Sequence, residues 1–310
     1  MGEGKKNCKK KEDIAIDSNT HKPSYQYIYI YIYRIQIITM AFVYNATKMT
    51  LENAEVINQI FNNNNDDINN NSIALEHLFS NAPIVEIKKP SKWDSIDPKA
   101  KTRCRCAYDN NNFYFGFEVE KNTHKEPVPS NTLNVWGKEN GVPENCQSVI
   151  YDDRCEVFLW PVVGTTNDDD NSESKDIDLE KQTYYAFEIN RNGGGLLSLT
   201  KFHRKFDFNW KGKYDGKMVP QCKDSNNNGE LYETFLLRIN RESVGMMATE
   251  NNDDQEFRVG LHRGMSTRKP EEIDGEMAWA SWVDVDDDVV DFHRPEMFGI
   301  LNLLSSEKIL

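Results

Sequence analysis

Ten stretches of alternating apolar and polar residues most constrain this chain. They are 84–89 (IVEIKK), 102–109 (TRCRCAYD), 113–120 (FYFGFEVE), 148–161 (SVIYDDRCEVFLWP) and 183–190 (TYYAFEIN), then 196–202 (LLSLTKF), 231–239 (LYETFLLRI), 257–264 (FRVGLHRG), 277–283 (MAWASWV) and 298–304 (FGILNLL). Period-2 patterning puts successive side chains on opposite faces of a strand, so each stretch offers one face to a core. Ten of them, with almost no long amphipathic helix between, predict an all-β, antiparallel two-sheet sandwich. Two connections have hairpin chemistry: DNNN after Tyr108 and NRNGGG after Ile189 are rich in residues that tolerate positive φ.

Upstream of Ala82 the period changes. Leu51, Ala54, Ile57, Ile60 and Phe61 recur at helical spacing with Thr50 as an N-cap, and SIALEHLF at 72–79 suits another helical turn. Residues 40–81 therefore read as a helical and Asn-rich extension, 82–304 as the sandwich and 305–310 as a tail. Residues 1–39 read as a leader, disordered or outside the native product. Its SYQYIYIYIYRIQIITM tract (24–40) is what a TA repeat yields on translation, which makes Met40 an alternative start. Arg34 and five spaced tyrosines fit a signal or a membrane span poorly. Six cysteines without Cys-x-x-Cys spacing exclude the common zinc sites and suit reduced core thiols. The expected location is cytoplasmic, or secreted if the tract is a signal. Fifty acidic against 37 basic residues, a formal charge of −13, oppose binding to nucleic acid or an anionic membrane.

Five segments in order carry a resemblance: AYDNNNFYFGFEVE, YDDRCEVFLWP, YYAFEINRNGG, the run from Trp279 to Trp282, and FHRPEMFGILNL. Together they resemble family 9 carbohydrate-binding modules, relatives of the DOMON superfamily. The resemblance implies a non-catalytic sandwich that grips an oligo- or polysaccharide in an aromatic-lined slot, in some members with structural calcium. Glu156 matches the glutamate of the family's D-x-x-E pattern, and a carboxylate there can accept two hydroxyl hydrogen bonds. Phe292 becomes the aromatic wall, with Arg263, Trp136, Trp160 and Arg154 as further sugar contacts. At the family's two tryptophan positions this chain carries Ile150 and Phe292.

Other chemistry fits less well. Asp153 and Glu156, three apart on a strand, would face opposite ways and make a poor hydrolase pair. Asp224–Phe235 begins like an EF-hand loop but has Phe235 where the bidentate glutamate belongs. Asp286, Asp287 and Asp288 are the calcium candidates, and no cofactor is otherwise required. Two alternatives stand beside sugar binding. One is an intracellular interaction module that has lost it; the other is a haem-binding DOMON-type protein with His293, Met297 or His262 as axial ligands.

Overall fold

The computed structural model describes residues 42–62, 75–76, 78–89, 101–120, 135–162, 182–201, 204–223, 231–246, 257–266, 277–283 and 291–304. Thirteen strands carry the fold: β1 (Val43–Lys48), β2 (Val85–Ile87), β3 (Thr102–Tyr108), β4 (Asn112–Glu120), β5 (Arg154–Pro161), β6 (Thr183–Asn190), β7 (Gly195–Lys201), β8 (Lys205–Asp207), β9 (Tyr214–Lys223), β10 (Leu231–Asn240), β11 (Phe257–Ser266), β12 (Met277–Ser281) and β13 (Gly299–Leu304). Pairing follows one path, β8-β7-β6-β5-β11-β13-β1-β3-β4-β10-β9, with β12 on β11 and β2 on β3.

That path folds over so that both halves share one core. Phe113, Phe115 and Phe117 of β4 and Phe235, Leu237 and Ile239 of β10 pack with Cys155, Val157 and Leu159 of β5 and Val259 and Leu261 of β11. The result is the expected all-β sandwich. Cys104, Cys106 and Cys155 are buried free thiols of this core, raised above the usual thiol range first of all by burial.

All ten alternating stretches contain a strand, and three strands were unforeseen. β1 lies in the stretch read as extension and runs parallel to both its neighbours, β13 and β3. A parallel pair needs a crossover, and helix α1 (Leu51–Asn62) provides it, with Thr50 Oγ1 accepting from the amide of Asn53. The crossover buries Ile57, Ile60, Leu78 and Phe79 on the outer face of β4 and β10, against Tyr114 and Leu236. Gly116 is required there, because a Cβ would lie 2.6 Å from the Phe79 ring. β9 escaped notice because Gly216 and Pro220 dilute its signal, and its place at the end of the pairing path is where proline is tolerated. β8 is only three residues long.

The expected hairpins form. Asp109 accepts from the amides of Asn111 and Asn112, and Gly193 adopts φ +73°. The stretch 148–161 differs from expectation, because Glu144–Tyr151 is a 3-10 turn and the strand begins at Arg154. Asp152 and Asp153 thus lie between turn and strand, and β5 is buried on both faces instead of one. No described helix is long and apolar enough to cross a membrane.

Candidate functional site

Alternation along β5 sends Cys155, Val157 and Leu159 inward and leaves Arg154, Glu156, Phe158 and Trp160 on the outer face of the β6-β5-β11 sheet. Register then decides who meets whom. Glu156 stands opposite His262 of β11 and Glu188 of β6, so the three form one row across three strands. One residue pair along, Arg154 stands between Gly264 and Asn190. The Arg154 Nε lies 2.8 Å from Glu156 Oε1 and 3.0 Å from Glu188 Oε2. Its Nη1 donates to the carbonyl of Ile150 at 2.6 Å, tying the 3-10 turn to the strand. The guanidinium also lies 5.0 Å from the Trp279 ring centroid, within cation–π range.

One guanidinium thus serves two carboxylates that are almost out of water. Burial, then the charge of Glu156, pushes the Glu188 carboxyl up to about 8 against the pull of Arg154. Glu156 moves up as well, by burial opposed by Arg154 and Arg263.

A strap, residues 291–298, covers the adjoining part of the face. Phe292 stacks on His262 with centroids 4.2 Å apart and 16° between planes, and Trp279 meets Phe292 edge-on at 5.2 Å. The next residue, His293, stacks on Phe158 at 4.8 Å, and its Nδ1 lies 2.7 Å from the Tyr184 hydroxyl. Phe158 and His262 are themselves neighbours at 5.0 Å, so two strap rings sit on two sheet rings. His262 Nδ1 bonds Ser281 Oγ at 3.0 Å, while its buried Nε2 has no hydrogen-bond partner among the described residues. Gly260 admits that ring, since a Cβ there would lie 2.5 Å from Nε2.

Both imidazoles are held neutral. Burial, then His293, lowers His262; burial, then Arg204 and Arg154, lowers His293 to about 3. These groups give stability two opposing slopes. Glu188 ionises near 4.5 when unfolded and near 8 when folded, so its contribution is full below about pH 4.5 and is lost as pH rises to about 8. His293 titrates near 6.5 unfolded and about 3 folded, so its contribution is full above about 6.5 and is lost as pH falls towards 3. Urea midpoints measured across this range should show a flattened alkaline slope in Glu188→Gln and a flattened acid slope in His293→Phe. Unchanged slopes would mean that these groups are solvated in solution.

The residues expected at a sugar site divide. Arg154 and Glu156 come together with Phe292 and Trp279 on one face, but Phe292 is only 6% exposed and spends a ring face on His262. Trp160 lies further along that face as packing, its Nε1 donating to Gln182 Oε1 at 3.1 Å under the Arg258 guanidinium. Trp136, 41% exposed, meets the edge of Phe206, which in turn meets His293 at 4.8 Å. Arg263 is a correction. It shares the inward side of β11 with Val259 and Leu261, is fully buried, and faces Phe235 at 5.2 Å and Asp153 Oδ2 at 3.8 Å. Odd and even positions of one strand cannot share a face, so Arg263 does not join Glu156.

Ile150 packs beside Val142, Val149, Leu196 and Phe208. The calcium candidates Asp286, Asp287 and Asp288 lie outside the described residues, as does most of the EF-hand-like loop; among the described residues no cluster of His, Cys, Asp or Glu is arranged to hold a metal. Glu188 was missed, although its signal was present as the one carboxylate in the apolar alternation of TYYAFEIN.

No protein-family model matches the chain, and no curated protein matches it in sequence. Among solved structures it is similar to a candidate carbohydrate-binding protein from Bacteroides uniformis, with TM-score 0.51, 12% identity, and 84% of this chain and 99% of that one covered. Two structures of a family 9 carbohydrate-binding module from Caldicellulosiruptor kristjanssonii also match. The complex with cellotriose has TM-score 0.40 at 13% identity, covering 86% of this chain and 97% of that one. The complex with glucose has TM-score 0.38 at 12% identity, covering 73% and 87%. At such identities the likeness is one of fold. The chain shares the β-sandwich fold of the Bacteroides uniformis protein.

Proposed function

We propose that this protein binds carbohydrate without transforming it, through the outer face of β5, β6 and β11. The observation that carries this reading is the Arg154–Glu156–Glu188 group set beside Trp279 and Phe292. Sugars present hydroxyls in a ring plane and C–H groups on its faces. Charged acceptors and donors next to flat aromatic surfaces match both. The sandwich fold shared with a candidate carbohydrate-binding protein supports the assignment. Binding is favoured over hydrolysis because Glu156 and Glu188 are cross-strand neighbours facing the same way and sharing one Nε. A hydrolase pair must flank the glycosidic bond. A place in polysaccharide or glycan metabolism is the setting such a binding domain suits.

A glycan array followed by calorimetry on the whole chain tests this. Glu156→Ala and Phe292→Ala should each weaken binding by about 1–3 kcal/mol, the size of a lost buried hydrogen bond or aromatic contact. Absence of any glycan bound at millimolar concentration would remove the proposal.

A further inference from the structure

Resting on the proposed sugar-binding face, the charge arithmetic of its polar group points to a class of ligand. Glu156 and Glu188 are 2% and 8% exposed, and both lean on the single Nε of Arg154. Each carboxylate therefore spends one oxygen on the guanidinium. Among the described residues the ion pairs of both carboxylates run to Arg154 alone. Among the described residues no other cation forms an ion pair with either carboxylate. His262 and His293 are neutral, Arg204 is engaged by Asp291 at 2.6 Å, and Arg263, whose charge pulls on Glu156, lies on the opposite side of β11 and faces Asp153 Oδ2 at 3.8 Å. Asp152, fully buried, accepts from Asn190 at 3.2 Å, and its charge acts on Arg154.

With both carboxyls ionised the group carries one more negative than positive charge in a place poorly reached by water. Such an excess is costly and is relieved either by a proton or by a cation. A bound proton is what the elevated Glu188 carboxyl provides in the empty site. A ligand that brings its own positive charge displaces that proton and finds two acceptor oxygens. The aromatic surface of Trp279 already faces a cation, as the Arg154 guanidinium shows. A carboxylated sugar would instead add a third negative charge.

We infer that the face selects a sugar bearing a protonated amine, a hexosamine unit, over the equivalent neutral sugar and over a uronic acid. Binding is then an exchange: the ammonium docks between the carboxylates, Glu188 gives its proton to the buffer, and no covalent bond changes.

The test is calorimetry of the full chain at about pH 6, where an amine is protonated and Glu188 is not yet ionised, with three probes: a β-1,4-linked glucosamine trimer, cellotriose and a galacturonate trimer. The glucosamine trimer should bind at least about tenfold more tightly than cellotriose, with the galacturonate trimer weakest. Repeating the titration in buffers of different ionisation enthalpy should show release of up to one proton with the glucosamine trimer and none with cellotriose. Glu188→Gln should collapse the ratio between the two, and the wild-type proton count stands even if that variant folds poorly. Cellotriose binding as tightly as the glucosamine trimer, or amine binding without proton release, would overturn the inference and leave the site standing. If none of the three binds and the array is also blank, the sugar-binding reading falls first.

Discussion

Arg154→Leu is expected to destabilise the protein by about 3–5 kcal/mol at neutral pH, the cost of removing one partner from a buried ionic group. Among the described residues Arg154 is the one cation paired with Glu156 and Glu188, and its Nη1 also holds the Ile150 carbonyl. Without it Glu156 loses its ion pair in a place where burial already disfavours its charge, and the ionised form of Glu188 becomes costlier still. The charge origin has its own signature. As pH falls Glu156 takes a proton as well as Glu188 and the cost should shrink, whereas lost packing against Trp279 would persist at every pH. Arg154→Leu combined with Glu156→Gln and Glu188→Gln should recover part of the loss, since the uncompensated charges are gone. Urea unfolding of the four variants at two pH values measures this. A cost independent of pH would show that the side chain acts through packing.

Phe158→Ala should cost about 3–5 kcal/mol, the range for deleting a fully buried aromatic ring. Its ring is 0% exposed and meets Tyr184, His262, His293 and Phe298, so it joins β5 to β6, β11 and the strap. The loss should not be uniform. Hydrogen exchange in residues 291–298 should accelerate more than in α1, which packs on the other half of the sandwich against Tyr114 and Leu236. Phe158→Leu, which leaves a smaller void, should cost less and disturb the strap less. Equal acceleration in the strap and in α1 would mean that the strap is anchored elsewhere. Because Phe292 rides on the same strap, glycan affinity should fall in parallel with strap exchange.

Much of the sandwich was legible because strand alternation is a local property. Each of the ten period-2 stretches contains a strand, and the Asn- and Gly-rich reversals are turns. β1 was not legible. VYNATK alternates too briefly to separate from its surroundings, and it gains strand character by lying between β13 and β3. The same limit explains β5, where alternation runs back to Ser148 on paper while Arg154 Nη1 and the Ile150 carbonyl hold the first residues in a 3-10 turn.

For the site, parity along one strand was enough to put Arg154 and Glu156 on the face opposite Cys155 and Val157, and parity applied to FRVGLHRG would also have separated Arg263 from them. It says nothing about partners. Glu188 reaches Arg154 through the register of β5 on β6, and His262 faces Glu156 through that of β11 on β5, residues 34 and 106 positions apart in the chain. Register is set by the whole sheet closing over its core, so no window of sequence contains it. Composition and period therefore settle that this chain is a β-sandwich with carboxylates on a strand beside its aromatics. Long-range pairing settles that two of those carboxylates share one guanidinium under a strap, because contact energies between distant segments are realised only when the sheet has closed.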